Sequence, residues 1–520
     1  MAVTRGWACC LMLLALAVLG AVVTLVALLI PGQSSGCAGG FSHAAVAADA
    51  GACSNIARDI LRRGGSAVDA AIAALLCTSA MNPQSMGIGG GVIFTIYDAS
   101  TGIPEVIMAR ERAPENTLPD CAQWIGVPGE LRGYEEAHKR HGKLPWRVLF
   151  EPTIKLVTEG FPVPEILERS PADTQTGEET LRIVAEEGAG SFYEGPLAQL
   201  MVEDLKTQHA SLTLDDFRNY QVERVEALNV SIDDYTLYSP SPTCQAAILS
   251  FILNIMKGYG FSSDSLKNDG DRIETFHRFA EALKFANGQK SKIMDHVKSG
   301  KRLVIDDLLS DSFAGSVRKR IDRSGNHSLS YYNLTQLGGE NFGTTHISVI
   351  AQDGSAVSVT STINQIFGSM VYSPRTGVIF NNELADFCKV PDSRIHSGEM
   401  PPSAMTPAIL ISKDKKSQLV IGGAGGDMII SATALAIMNK LWFGYDLEKA
   451  ISAQILYVNN QNEIQLEPPE DELLKNGLRN RGHQIKTSPY FLNVVQAVLK
   501  QGPCIYAESD KRKRGIAAGY

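Results

Sequence analysis

The chain has 520 residues, 44% of them hydrophobic and 20% charged, with a formal net charge of -8. That balance is globular and long enough for one large layered domain or more than one packed unit. It excludes a polyanion-binding protein: the one basic run, Lys511-Arg512-Lys513-Arg514, reads as a solvated surface turn, so no nucleic-acid partner is expected.

The first seven residues carry Arg5 and form a short cytoplasmic tail. Residues Ala8 to Ile30 are uncharged and almost wholly apolar. A bilayer span needs ~20 such residues, whereas a cleaved signal peptide has an apolar core of ~7–15. A retained signal anchor is expected. No Lys or Arg follows until Arg58. The charge bias therefore predicts a single-pass type II protein of the cell membrane with its main body extracellular. Cys9 and Cys10, at the start of the run, suit palmitoylation or simple burial in lipid. Residues 31–40 read as a flexible stalk. The GxSxG at Gly32-Gln33-Ser34-Ser35-Gly36 lies in that stalk with no strand before it, and is a chance match. Asn229, Asn326 and Asn333 each open a glycosylation triplet.

Beyond the stalk, Ser54 is placed to cap a helix running to about Arg63, and Gly64-Gly65 breaks it. Ser66 caps a second, alanine-rich helix through about Thr78. Folded back on each other, these helices bring Cys53 and Cys77 to one end, and an oxidising compartment predicts a disulfide between them. The nine cysteines include no CxxC pair of metal-ligand type, and there is no HExxH helix or P-loop. No metal and no cofactor are expected. Gly87-Ile88-Gly89-Gly90-Gly91 precedes a β-rich run, Val92 to Tyr97. Without a following helix and a placed acid, those glycines read as close backbone packing. Residues 170–340 are richer in helical patterns, and strands with glycine turns follow Gly343.

The clearest local structure is there. Thr345, Ile347, Val349 and Ala351 alternate with more polar neighbours, Asp353-Gly354 is a hairpin turn, and Ala356 to Ile363 returns. A two-residue turn sets Thr344 opposite Ile363, flanked by Thr362 and Asn364. A three-residue loop shifts that register by one and keeps the cluster.

Dispersed clusters complete the pattern: Ala109-Arg110-Glu111, Gly343-Thr344-Thr345-His346, Ser361-Thr362-Ile363-Asn364, Asn382-Glu383-Leu384-Ala385-Asp386, Pro402-Ser403-Ala404-Met405 and Gly422-Gly423-Ala424-Gly425-Gly426-Asp427. In this order, with Thr344 after a glycine, they resemble the gamma-glutamyltransferases (glutathione hydrolases), which are N-terminal-nucleophile enzymes. The likeness covers nearly the whole chain after the anchor. Asn82 to Gly87, Gln123 to Gly126 and Met370 to Gly377 are most similar to the gamma-glutamyltransferase 5 branch, which cleaves leukotriene C4.

The resemblance implies an α+β fold, the αββα four-layer sandwich of N-terminal-nucleophile hydrolases. It also implies autocatalytic cleavage before Thr344, giving a heterodimer of a large subunit (41–343) and a small one (344–520). A threonine hydroxyl needs a base, and cleavage frees an α-amino group of reference pKa ~7.7–8.0 on the same residue. Thr362 would orient that nucleophile. The substrates implied are glutathione, its S-conjugates and leukotriene C4, with water or an amino acid or dipeptide as acceptor. A gamma-glutamyl headgroup carries an α-carboxylate and an α-ammonium. Arg110 suits the first with two parallel hydrogen bonds, and Ser403 adds a hydroxyl. Glu383, Asp386 and Asn364 suit the second. Backbone N–H groups at Gly425 and Gly426 would hold the oxyanion.

The chain departs from the family pattern in places. Ala404 stands where a second serine is usual, which predicts weaker donor binding. Met108 replaces an asparagine. The stretches around Glu115–Ala122, Leu167–Thr180 and Cys388–Pro401 are short. Two other readings follow: an unprocessed, catalytically silent surface glycoprotein of the same fold, and an amidase or acylase, which the Arg110 and Glu383/Asp386 pairing disfavours.

Overall fold

The structure is a computed structural model that describes residues 37–117, 124–162, 174–208, 210–240, 244–293, 303–334, 343–389, 395–487 and 494–520. The apolar run 8–30, Cys9, Cys10 and the GxSxG match lie outside them, as do parts of the stalk and of the three short stretches. Among the described residues no helix is long and apolar enough to cross a membrane.

The first two helices form the expected hairpin. They span Gly51–Arg62 and Ala67–Met81, joined by a turn in which Gly64 takes a φ of 86°. Ser66 closes a reciprocal capping box with Asp69. The disulfide Cys53–Cys77 is present. The first helix starts four residues earlier than expected. Ser54 is therefore inside it, and its Oγ accepts the Ala48 N–H at 3.2 Å. Ala67–Met81 is buried almost all round, and its small alanines let it lie tight on the sheet beneath.

That sheet has seven strands: β16 (Ala518–Gly519), β1 (Ala45–Ala47), β7 (Thr345–Ile350), β8 (Ala356–Thr362), β2 (Gly91–Asp98), β3 (Ile103–Ala109) and β4 (Glu223–Glu226), in that order. A second sheet runs β15 (Cys504–Glu508), β14 (Val494–Gln501), β10 (Ser417–Ala424), β9 (Ala408–Ser412), β6 (Tyr235–Ser239) and β5 (Leu228–Ile232). A small third sheet joins β11 (Leu456–Val458), β12 (Ile464–Leu466) and β13 (Ile485–Thr487).

The period of two along each strand makes the layers. Ala45, Ala47, Ile350 and Ala356 of the first sheet meet Ile409, Ile411, Val420 and Val498 of the second in a thin apolar seam. The alternate residues Val46, Ile347 and Val349 face outward into the helices Gly51–Arg62, Ala67–Met81 and Glu130–His141. Leu410, Leu419 and Ile421 face the other way, into Ala246–Lys257, Asp269–Asn287 and Ile429–Leu441. The layer order is α, β, β, α, as expected. Strands from before and after Gly343 share both large sheets: β1 pairs with both β16 and β7, β8 with β2, and β9 with β6.

The hairpin differs from the two-residue expectation. Ala351 N–H bonds back to Ser355 C=O, and Gly354 takes the left-handed turn position. Gln352 thus joins the loop, and the pairing is Thr345 with Ser361 through Ile350 with Ala356. One step further, Thr344 faces Thr362 rather than Ile363. The glycine cluster packs closely, as expected: a Cβ on Gly89 would meet Ile379 O at 2.1 Å, and one on Gly90 would meet Thr362 O at 2.1 Å. Asn229, Asn326 and Asn333 are all exposed.

The basic run corrects the surface-turn reading. Lys511–Lys513 is a short 3-10 turn, and two of its cations turn inward. Arg512 pairs with Asp510 and Glu467, and Lys513 reaches Asp49 at 3.0 Å. Buried acceptors hold these side chains more firmly than water can.

Candidate active site

Thr344 is the residue just before β7, with φ +83°; Asn364, two residues after β8 ends, has φ +76°. Left-handed backbone at non-glycine residues is costly, and it gathers at functional sites. Thr344 N–H donates to Ser85 C=O at 3.1 Å. Its side-chain oxygen lies 2.9 Å from that of Thr362. Thr362 Oγ1 also accepts the Asn364 N–H at 2.8 Å. With that acceptor position filled, the Thr362 hydroxyl has a fixed place beside the Thr344 hydroxyl.

The bond before Thr344 is held as firmly. Gly343 C=O accepts the Gly425 N–H at 3.1 Å. A Cβ on Gly343 would meet Asn364 O at 2.0 Å, so only glycine lets the chain pass there. Gly425 and Gly426 adopt consecutive positive φ values, 119° and 59°. They lead through Gly426–Met428 into the helix Ile429–Leu441, whose N-terminal dipole favours negative charge.

Thr344, Thr362, Asn364, Glu383, Asp386, Ser403, Ala404 and Gly426 line one small pocket with Met405, Asp427 and Ile429. Glu383 and Asp386 open the 3-10 segment Glu383–Lys389; three residues per turn puts both on one side. Asn364 Nδ2 donates to Asn382 O at 3.1 Å and to Asp386 Oδ1 at 3.3 Å. Ser403 Oγ accepts the Met405 N–H at 3.2 Å.

Arg110 is placed differently from the expectation. It is fully buried behind the lining, and its fork is closed on Glu383, with Nη1 to Oε1 at 3.0 Å and Nη2 to Oε2 at 2.9 Å. Glu111 lies 3.2 Å from the same guanidinium. Burial works against the Arg110 charge, but the carboxylates of Glu383 and Glu111 outweigh it and hold its pKa above the ordinary value. Burial, then the charge of Glu383, pushes Glu111 well up toward its protonated form. The carboxylate against Arg110 with two good hydrogen bonds is that of Glu383.

Three further residues at the site were not among the expected site residues. Ser85 takes the Thr344 N–H. Lys513 Nζ donates to Thr344 C=O at 2.6 Å and lies 3.0 Å from Asp49 Oδ2. Asp49 Oδ2 also accepts from Thr345 Oγ1 at 2.6 Å. His346, two residues from Thr344, is not placed as its base. Its Nδ1 meets Thr360 Oγ1 at 2.8 Å and its Nε2 meets Ser348 Oγ at 3.0 Å. Burial depresses its pKa to about 3, so the ring is neutral.

The two departures from the family pattern lie close together. Met108 belongs to a buried apolar cluster with Ile93, Cys244 and Met405, and Ala404 lines the pocket. A larger cleft between Trp146–Glu159 and Thr174–Glu187 is lined by Arg147, Glu151, Lys155 and Glu159. Those four make surface ion pairs, and the Thr158 hydroxyl beside them donates to Glu178 at 2.8 Å. Among the described residues no cluster of three His, Cys, Asp or Glu side chains is placed to hold a metal ion.

The family model described as gamma-glutamyltranspeptidase matches residues 53–178 and 173–520. The chain is 48% identical over 565 aligned positions to glutathione hydrolase 5 proenzyme of Mus musculus, covering 98% of each chain. It is 47% identical to glutathione hydrolase 5 proenzyme of Homo sapiens, over 92% of this chain and 93% of the relative. The mouse alignment is longer than the chain, so that relative carries segments absent here. The fold is similar to that of a cephalosporin acylase from Bacillus halodurans, with a TM-score of 0.79, 23% identity, and 92% and 96% of the two chains covered.

Proposed function

The chain belongs to the gamma-glutamyltranspeptidase family, and from that premise we propose that it cuts its own Gly343–Thr344 bond and then cleaves the gamma-glutamyl bond of glutathione through an acyl-enzyme on Thr344. The observation that carries this reading is the pairing of two contacts at one peptide bond. Gly425 N–H holds the Gly343 carbonyl oxygen at 3.1 Å, and Thr362 holds the Thr344 hydroxyl at 2.9 Å. The names of the mouse and human relatives, glutathione hydrolase 5 proenzyme, support both the substrate and the processing.

In maturation, Thr344 Oγ1 attacks the Gly343 carbonyl carbon, and its proton is relayed across the Thr362 hydroxyl to the Thr344 nitrogen. The oxyanion forms where Gly425 N–H already points. Collapse breaks the C–N bond and leaves an ester on Thr344. Water hydrolyses the ester, so Gly343 gains a carboxylate and Thr344 a free amine. That amine then serves as the base for Thr344 in turnover.

A gamma-glutamyl headgroup is a zwitterion, and the site holds a matching ion pair. Inserting it between Arg110 and Glu383 gives the α-carboxylate the Arg110 fork and the α-ammonium the carboxylates of Glu383 and Asp386. Each charge exchanges one partner for another, so no buried charge is stranded. Asn364 and Ser403 add neutral hydrogen bonds. Thr344 then attacks the γ-carbonyl carbon, and the N–H groups of Gly425 and Gly426 take the oxyanion. The Cys-Gly amine leaves with a proton, and water or an amino acid or dipeptide releases the glutamyl group. S-conjugates keep the same headgroup, so they and leukotriene C4 enter by the same route. Residues 8–30 anchor the chain in the cell membrane with this site extracellular.

Glutamate release from glutathione by the purified full-length protein tests the reading. Wild-type protein releases glutamate and Thr344→Ala does not; equal rates from both would refute it. The same assay with leukotriene C4 tests the branch.

A further inference from the structure

A second disulfide crosses the molecule. Cys37, at the end of the stalk, is bonded to Cys504 at the start of β15, a separation of 467 positions. The surrounding backbone seats this bond. Phe41 N–H donates to Ile505 C=O at 2.7 Å, and Ile505 N–H returns a bond to Phe41 C=O at 2.8 Å. Gly40 passes so close that a Cβ there would meet Ile505 O at 3.0 Å. Ile505, next to Cys504, and Phe41, four residues after Cys37, are thus paired as a small antiparallel bridge.

The position of this bond relative to the proposed cut gives it a role that Cys53–Cys77 lacks. Cys53 and Cys77 both precede Gly343, whereas Cys37 precedes it and Cys504 follows it. We propose that after cleavage the fragment beginning at Thr344 stays covalently tied, through Cys37–Cys504, to the fragment carrying the N-terminus. The mature protein is then one disulfide-linked molecule and not two pieces joined by packing alone. This inference rests on the cleavage reading above.

The two covalent events are independent. Forming the disulfide removes two electrons and two protons from the Cys37 and Cys504 thiols, taken up by exchange with a protein or small-molecule disulfide. Hydrolysis of Gly343–Thr344 consumes one water and transfers no electrons. The interleaved strands already hold the halves together in the folded state, so the tether matters when packing is lost. It keeps each half at a high effective concentration near the other. It also links the nucleophile-bearing half to the fragment whose sequence carries the apolar run.

The test is a denaturing gel of alkylated full-length protein, with and without reductant, probed at the C-terminus. Wild type runs as one full-mass species without reductant and as two fragments with it. A free C-terminal fragment without reductant would overturn the tether and leave the cleavage reading intact. One uncleaved chain in both lanes would overturn the cleavage reading, and the tether with it. Cys388, also after the cut, is disulfide-bonded too, so the Cys37–Cys504 bond is isolated on a Cys388→Ser background. Cys388→Ser alone should stay one full-mass species without reductant, and Cys37→Ser/Cys388→Ser/Cys504→Ser should show two fragments. A free fragment from Cys388→Ser alone would overturn the tether. After urea and dilution, wild-type recovery should not depend on protein concentration. Recovery of the triple variant should fall on dilution, roughly in proportion over tenfold. Equal concentration dependence in both would count against the tether.

Discussion

The side-chain oxygens of Thr344 and Thr362 lie 2.9 Å apart at the open end of a hairpin that sets the two residues opposite each other. The contact is prepared from both sides, since Asn364 N–H occupies the same Thr362 oxygen at 2.8 Å. Thr362→Ala should slow both self-cleavage and turnover by roughly 10²-fold, the lower range for a lost proton-transfer partner. The loss should fall mainly in kcat. Thr362→Ser keeps the hydroxyl and should recover most of it. Time courses of the cleaved fraction and steady-state kinetics measure both effects.

Gly343→Ala should block maturation. The new Cβ would meet Asn364 O at 2.0 Å, a backbone atom that cannot rotate aside. The chain must move, and the Gly343 carbonyl then leaves the Gly425 N–H. Losing one oxyanion donor costs ~10²–10³-fold, so the precursor should accumulate on a gel. Cleavage at the wild-type rate would show that this contact is incidental.

Acid should weaken the fold through His346. An unfolded histidine titrates near pKa ~6.5, and burial holds the folded ring down to about 3. Between those values the unfolded chain binds the extra proton, so stability falls as pH drops from ~6.5 toward 3. His483, depressed to about 2 mainly by burial, acts in the same direction. Melting temperature should therefore fall between pH 7 and 5, and His346→Gln should fall less steeply. An unchanged slope in that variant would remove His346 from the explanation.

Ala404→Ser should tighten donor binding. The residue lines the pocket beside Ser403, and a hydrogen bond to a charged group is worth ~1.5–3 kcal/mol. KM for glutathione should drop roughly tenfold or more. An unchanged KM would mean that the added hydroxyl does not reach the substrate carboxylate.

What could be read from the sequence was local. Alternation and an Asp-Gly turn brought Thr344, Thr362 and Asn364 together, and Gln352 entering the loop selects the three-residue register of the two the sequence allowed. Glycine breaks and the Ser66 cap located the helical hairpin and its disulfide. The long-range contacts left no such trace. Lys513 looked like surface because its partner, 169 positions away, is a backbone carbonyl that no side-chain pattern reveals. Cys37–Cys504 joins the two ends of the chain without any repeating spacing. Arg110 and Glu383 were expected as the two poles of a substrate clamp; their direct pairing instead follows from burial, since neither charge tolerates an apolar setting alone.

N-terminal sequencing of the smaller fragment, separated under reducing conditions, tests the proposed chemistry most directly. The mechanism predicts a sequence beginning Thr344-Thr345-His346-Ile347. A fragment starting at any other residue would contradict it, because the amine that serves as base would then belong to a residue other than the nucleophile.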